Sequence, residues 1–435
     1  MVMENRYDKY KDSGIAWIGE IPEHWDKNKI IRLFSIIGSG TTPKSSKEDN
    51  YIGSVNWIQS GDINGGYIEN CKNTISDTAL KEYSTLKIYK APFIIVAMYG
   101  ASVGNISISN IDGCVNQACC VMNETKQNFK YLFYAMNSVK RYLIYKAEGG
   151  GQPNISQDKI KNTWMPIPPF EEQQSIATYL DQKCSEIDEL ITLQEEMITK
   201  LQSYKQSVIT EAVTKGLDKN VPLKDSGIEW IGEIPEHWEV KRLKNVCSTN
   251  NASLSDKTSK EFEFDYVDIG SVSFELGIHK TERYTFQNAP SRARKIARLG
   301  DIIVSTVRTY LRAIDIINSE EKEKYIYSTG FAILSPLKNI LSEFMIYICR
   351  SEYFTNLVSI YSTGINYPSI NDTALKMINI VIPPIHEQQS IADYLDQKCS
   401  EIDELISIKQ QKIEKLKDYK KSLIFECVTG KRKVS

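Results

Sequence analysis

Long apolar runs are missing from this chain of 435 residues. With them goes any helix able to cross a bilayer, which needs about 20 consecutive apolar residues. The longest run, around Pro92–Met98, falls well short. Residues 1–11 are polar and of mixed charge, unlike a secretory signal. Metal-site residues are also sparse. There are 4 histidines, two of them (His24, His237) inside a repeat, and none of the 9 cysteines forms a C-x-x-C pair. Adjacent Cys119 and Cys120 suit neither a disulfide framework nor a metal site, so buried reduced thiols in a cytoplasmic protein are expected. No Walker motif, G-x-G-x-x-G, Asn/Asp-Pro-Pro-Tyr/Phe run or convincing Ser/His/Asp or Cys/His set is present, which points away from catalysis by this chain. Net charge is lacking too, at −2, and as a sum it argues against a nucleic-acid binder.

What is present begins with size: 435 residues, 41% apolar and 25% charged, imply two or more domains of ordinary globular composition. Charge distribution then says more than its sum. Asp26 to Lys161 holds 16 Lys/Arg against 11 Asp/Glu, Glu171 to Lys219 reverses to 5 against 10, and Glu239 to Lys376 has 18 against 16. Eight basic residues (Lys280, Arg283, Arg292, Arg294, Lys295, Arg298, Arg308, Arg312) stand between 280 and 312 with two acidic ones. Positive charge is thus gathered into two segments and kept out of the one between them.

An internal duplication is the strongest feature. KDSGIAWIGEIPEHW (Lys11–Trp25) recurs at Lys224–Trp238 with one change in 15, and PPFEEQQSIATYLDQKCSEIDELI from Pro168 recurs from Pro383 with 21 of 24 identical. The offsets, 213 and 215 residues, nearly agree. Between these shoulders, Asp26–Met165 and Glu239–Ile380 barely align, apart from echoes of Phe93–Val96 in Asp301–Val304 and of Asn154–Lys161 in Ser369–Lys376. A duplicated frame around unlike inserts implies one mechanical role performed twice and two different recognition tasks. A plain structural repeat would not keep its frame while its inserts drift.

The stretch Phe170–Lys215 lacks Pro and Gly and keeps helical spacing. One seam runs Leu180, Ile187, Gln194, Leu201, Val208; a second runs Leu190, Met197, Tyr204, joined by Cys184, Ile191 and Ile198. The second copy reads Leu395, Ile402, Lys409, Leu416, Leu423, with Leu405, Ile406, Ile413 and Tyr419 alongside. Spacing of seven held over four repeats favours a two-stranded coiled coil, with Gln194 and Lys409 as polar breaks that can fix register. Parallel and antiparallel pairings are both possible. Antiparallel pairing would put the two inserts at opposite ends of a rod of roughly 65 Å and bring residue 11 near Cys427, leaving the chain ends as neighbours. Trp17, Trp25, Trp230 and Trp238, with His24 and His237, read as core anchors of the frame.

Both inserts mix strands and short helices, giving an α+β chain: two α/β domains separated by a long antiparallel two-helix coiled coil under a pseudo-two-fold internal repeat. In the first, the loop Gly40–Lys47, the turn Tyr99–Gly104 and the loop Gly149–Asn154 nominate Lys44, Ser45, Ser46, Lys47, Tyr99, Ser102, Gln152 and Asn154 as DNA contacts. In the second, the basic segment and Tyr361–Pro368 nominate Arg292, Arg294, Arg308, Tyr310, Arg312, Asn366 and Tyr367. Such side chains on loops read base edges and hold phosphates.

The frame KDSGI-x-WIGEIPEHW, the helix openings PPFEEQQSIATYLDQK and PPIHEQQSIADYLDQK, and the helix ends ITEAVTKG and IFECVTGK closely resemble the specificity subunit of a Type I restriction–modification system, over essentially the full length. GTTPKSS, WIQSGDI, YGASVGN and GDIIVSTVRTYLR inside the inserts match the same family less specifically. The resemblance implies an N-terminal repeat segment (1–25), target-recognition domain 1 (26–169), a central spacer helix (170–216), a repeat segment (217–238), target-recognition domain 2 (239–384) and a distal helix (385–435). It implies a split, asymmetric target on double-stranded DNA, one half-site per domain, with the helices setting the spacer. Partners would be two modification (methyltransferase) subunits and two restriction (translocase/nuclease) subunits. S-adenosylmethionine, ATP and Mg would be used by those subunits and no cofactor by this chain. Partner docking on the frame would fall to Trp17, Trp25, Trp230, Trp238, Gln173, Gln174, Gln388 and Gln389. Two rivals are a recognition domain serving a single-chain restriction–methylation enzyme in trans, and a two-headed coiled-coil scaffold binding proteins or glycans. A bipartite methylation motif would separate the first, a gel shift with matched and scrambled DNA the second.

Overall fold

Two runs of about 45 residues without Gly or Pro form the longest elements: a central helix, Phe170–Lys215, and a distal helix, Ile385–Val428. Each starts just after a Pro-Pro pair, whose fixed φ and missing N–H do no harm there. Glu171 and Glu172, or Glu387, lie in the first turn against the positive end of the helix dipole. The computed structural model describes residues 6–147 and 154–434, and the chain divides into two units, 1–194 with 411–435, and 195–410.

In the first unit the central helix up to residue 194 packs on the distal helix from 411 onward. Asp188 pairs with Lys420 at 2.6 Å, and Tyr179 hydrogen-bonds Arg432. One residue number rises as the other falls, so the pairing is antiparallel. The second unit repeats the rule, with Lys409 Nζ 3.3 Å from Met197 Sδ and Lys205 2.6 Å from Asp403. The first expected seam is inward: Leu180, Ile187, Gln194 and Val208 are buried, as are Leu395, Ile402 and Leu423. The second expected seam is corrected in part: its joining residue Cys184 is buried and Ile191 packs against the core, but its main line is not inward. Leu190, Met197 and Tyr204, and likewise Leu405 and Tyr419, are solvent-exposed. Cys399 and Ile413 are buried as well, so each helix turns two adjacent stripes inward and the stripe beginning at Leu190 or Leu405 stays open.

The two inserts share a scaffold. The first carries a sheet ordered Ile36–Gly38, Cys119–Asn123, Phe93–Ala97, Ile106–Ser109, Tyr67–Ile68; the second carries Cys247–Thr249, Phe331–Pro336, Ile302–Ser305, Ile314–Ile316. The first four strands correspond one to one. Phe93–Ala97 and Ile302–Ser305 are buried throughout, as central strands must be when both faces are covered. Helix Phe129–Tyr145, capped by Asn128, backs the first sheet, and helices Ser342–Arg350 and Glu352–Ile360 follow the second. Beyond this core the inserts part company: a three-stranded sheet (Cys114–Val115, Val55–Ile58, Thr74–Ile75) in one, a five-stranded sheet including Glu263–Val267 and Ala293–Ile296 in the other.

Each insert is clamped at its base by a short antiparallel pair, Asp26–Lys29 with Trp164–Ile167 and Glu239–Arg242 with Asn379–Ile382. The expected neighbourhood of residue 11 and the distal helix end is present: Tyr10 Oη donates to Gly430 O at 2.9 Å and Lys431 Nζ to Glu20 O at 2.7 Å. Among the described residues no helix is long and apolar enough to cross a membrane, and no group of three or more His, Cys, Asp or Glu is placed to hold a metal ion.

Candidate nucleic-acid interface

The frame is locked by one carboxylate per copy. Glu172 accepts hydrogen bonds from Trp25 Nε1 at 3.0 Å and Tyr7 Oη at 2.9 Å and lies 2.6 Å from His24 Nε2. Glu387 repeats this with Trp238 Nε1 at 2.9 Å and His237 Nε2 at 2.7 Å. Partial burial pushes the Glu172 carboxyl up, but the hydrogen bonds from His24, Tyr7 and Trp25 outweigh it and hold the group below its ordinary value. One residue along, Gln173 and Gln388 are fully buried and plug backbone groups: Pro168 O and Asn128 N in one copy, Pro383 O, Asn339 O and Leu341 N in the other.

In the second insert, the turn after strand Ile302–Ser305 carries Arg308, Tyr310 and Arg312 on its surface. Arg308 and Arg312 both have left-handed backbone, with φ of 52° and 47°. The Arg308 guanidinium lies 5.2 Å from the ring centre of Tyr367, and that of Arg312 lies 5.8 Å from Phe274, distances at which cation–π attraction operates. A second loop is tied to this turn by the Val307–Ser369 bridge and by Thr309 Oγ1 to Ser362 Oγ at 3.0 Å. Asn366 and Tyr367 lie exposed on that loop. Other members of the basic segment are engaged internally. Arg283 pairs with Glu263 and Asp265, Lys280 with Glu282, and Arg294 rests over Phe286 facing Asp256. Lys295 is half-buried, bonded to Asn250 Oδ1 and Phe331 O, and burial lowers its pKa.

In the first insert, Thr42 Oγ1 donates to Gln117 Oε1 at 2.5 Å, and the Gln117 side chain also bonds Tyr99. Gln117 therefore brings the Gly/Ser/Thr loop beside the turn that follows Phe93–Ala97. Ser102 of that turn donates to Ser60 O at 2.6 Å, and Ile155 N ties the next loop to Met98 O at 2.8 Å.

Residues 22–202 and 235–418 match the family model described as the Type I restriction modification DNA specificity domain. The chain belongs to that family. A Type I restriction enzyme MjaVIII specificity subunit from Methanocaldococcus jannaschii is 28% identical over 70% of this chain and 70% of its own. A putative type I restriction enzyme MjaX specificity subunit from the same organism is 26% identical over 100% of both. A chain from a structure of complex assembly and conformational transition in the type I R-M system shares the fold, with a TM-score of 0.69 at 17% identity over 94% of this chain and 99% of that one.

Within this specificity-family fold the nominated residues separate by position. Arg308, Tyr310, Asn366 and Tyr367 are exposed, and Arg312 is half-buried beside them. Lys44, Ser45, Ser46, Lys47, Asn154 and Arg292 are exposed; Lys47 is already paired with Glu82 at 2.9 Å. Tyr99, Ser102 and Arg294 are half-buried, and Gln152 lies outside the described residues. Docking through Trp25, Trp238, Gln173 and Gln388 is corrected: all four are buried within their own frames and offer no surface. Gln174 and Gln389 are exposed. The anchor reading of the remaining residues changes as well. Trp230 is 59% exposed, Trp17 is half-buried between Tyr142 and Phe425, and His24 and His237 are exposed partners of the frame carboxylates. Phe274, Phe286 and Gln117 were missed as site residues. Nothing local marks the phenylalanines, which reach the arginines only through folding.

Proposed function

We propose that this chain is the DNA sequence-recognition subunit of a Type I restriction–modification complex, reading a bipartite asymmetric target with one half-site per insert. The observation that carries it is a frame repeated almost residue for residue around two inserts that share a core sheet and differ at their loops. An identical frame serves a common attachment, and dissimilar loops serve dissimilar words. Membership of the specificity family and the names of the full-length relatives support the same reading.

Two modification subunits attach to the repeated frame, and restriction subunits join the same assembly. The exposed stripes Leu190, Leu193, Tyr204 and Leu405, Ile408, Tyr419, repeated at a 215-residue offset, with Met197 added in the central helix where the distal helix has Lys412, are the attachment surface that replaces the buried residues above. S-adenosylmethionine, ATP and Mg serve those subunits. This chain supplies no chemistry of its own; its modest net charge leaves much of the phosphate neutralisation to its partners.

Long-read mapping of methylated adenines, with this chain exchanged between strains that hold the partner subunits, tests the proposal. A motif of two short words around an unread spacer, moving with the chain, is the expected result. A continuous motif, or one indifferent to the exchange, overturns it.

A further inference from the structure

The two inserts use the same turn with different residues. In the first, Met98–Asn105 joins strands Phe93–Ala97 and Ile106–Ser109; in the second, Thr306–Ala313 joins Ile302–Ser305 and Ile314–Ile316. Val96 pairs with Ile106 as Val304 pairs with Ile314, and Ala97 N donates to Asn105 O as Ser305 N does to Ala313 O, both at 2.9 Å. The next carbonyl receives the neighbouring loop alike, from Ile155 N to Met98 O at 2.8 Å and from Ile370 N to Thr306 O at 2.9 Å. In this register Arg308 stands where the first insert has Gly100, and Arg312 where it has Gly104. All four positions have positive φ: 52°, 88°, 47° and 76°.

Glycine adopts that backbone without penalty, whereas an L side chain crowds its own carbonyl. Glycine forms the sister turn with the same strand register, so the fold does not require arginine. Non-glycine residues held this way gather at functional sites. Among the described residues only Glu124, Asn250, Arg308 and Arg312 are of this kind, and two of them share one turn. No ion pair is found for Arg308 among the described residues; instead its guanidinium carbon lies 5.2 Å from the ring centre of Tyr367, itself 66% exposed.

We propose that Arg308 is a specificity-determining residue of the second insert, reading a guanine of its half-site through a two-pronged hydrogen bond to O6 and N7. This rests on the DNA-reading function proposed above. A phosphate contact asks only for positive charge, which a flexible side chain on relaxed backbone provides. A guanine edge asks for a planar fork held in a set direction, and the left-handed turn with Tyr367 in cation–π range of the guanidinium favours one direction. Gly100 presents no side chain at the matching position, so the first insert reads its half-site without this contact.

The test maps methylation motifs in cells that contain the whole modification complex with wild-type chain, Arg308→Gly or Arg308→Lys. A bipartite wild-type motif establishes the function independently of Arg308; its absence sinks that function and not the residue assignment alone. Arg308→Gly leaves the first half-site and the spacer unchanged and relaxes one G·C position in the second half-site, with discrimination there falling by about 5- to 150-fold. Arg308→Lys, lacking the fork, relaxes the same position. The purified glycine variant melts no lower than wild type. If the variant methylates too little to map, binding of the purified complex to targets with each second-half G·C pair changed to A·T shows the same loss at one position. An unchanged motif, a uniform loss across all sites with discrimination intact, a lysine variant that reads like wild type, or a fall in melting temperature each overturns the assignment.

Discussion

Glu172 sits where three chain segments meet, and its charge holds them together. The carboxylate collects Tyr7, His24 and Trp25, and its pKa is held low despite partial burial. A group whose folded pKa lies below the unfolded value contributes stability that is present above the unfolded value, here about 4.5, and is lost as pH falls through the folded one. Acid titration followed by circular dichroism should therefore show the wild-type chain losing stability below about pH 4.5 more steeply than Glu172→Gln, which lacks that contribution at every pH. Equal slopes would remove Glu172 from the frame's acid sensitivity. The Pro-Pro-x-x-Glu openings are visible in the sequence, but the meeting of Glu172 with Trp25 is not, because 147 residues separate them.

At the level of elements, helix periodicity was readable and helix facing only in part. A seven-residue repeat marks which positions lie on a common side, so Leu180, Ile187 and Val208 were placed inward correctly. Leu190, Met197 and Tyr204 obey the same spacing yet face solvent. Periodicity fixes an angle around the helix, and only the packed partner determines which angles are covered. Gln194 is buried in the inward seam, where a polar side chain costs stability relative to an apolar one of similar size. Gln194→Leu should raise the unfolding free energy by about 1 kcal/mol, measured by denaturant titration with an unchanged slope. A loss of stability would mean that the amide is needed for register.

For the whole molecule, the tie between Tyr10 and Gly430 and that between Glu20 and Lys431 repeat what continuous chain does at the other copy, where the central helix leads directly into the segment ending at Trp238. A circular permutant opened within the exposed residues 217–220 and joined between 434 and 6 by a short flexible linker should fold and support methylation at the wild-type motif. Exposed termini and loop tips tolerate such cuts. A permutant that folds but methylates a different motif would show that chain continuity at residue 216 sets the half-site spacing.

Much about this protein was determined by sequence alone: the duplicated frame, the pair of long helices, the two unlike inserts and the family they belong to. Those features are carried by residues adjacent in the chain or repeated at a constant offset, so reading needs no knowledge of contacts. Tertiary structure alone decided which basic residues are free and which are spent on neighbours, which tryptophans are sealed in, and that two arginines occupy glycine's backbone over aromatic rings. Those outcomes depend on strands and loops far apart in the chain arriving at one place, and on a sign of φ that no residue identity other than glycine announces.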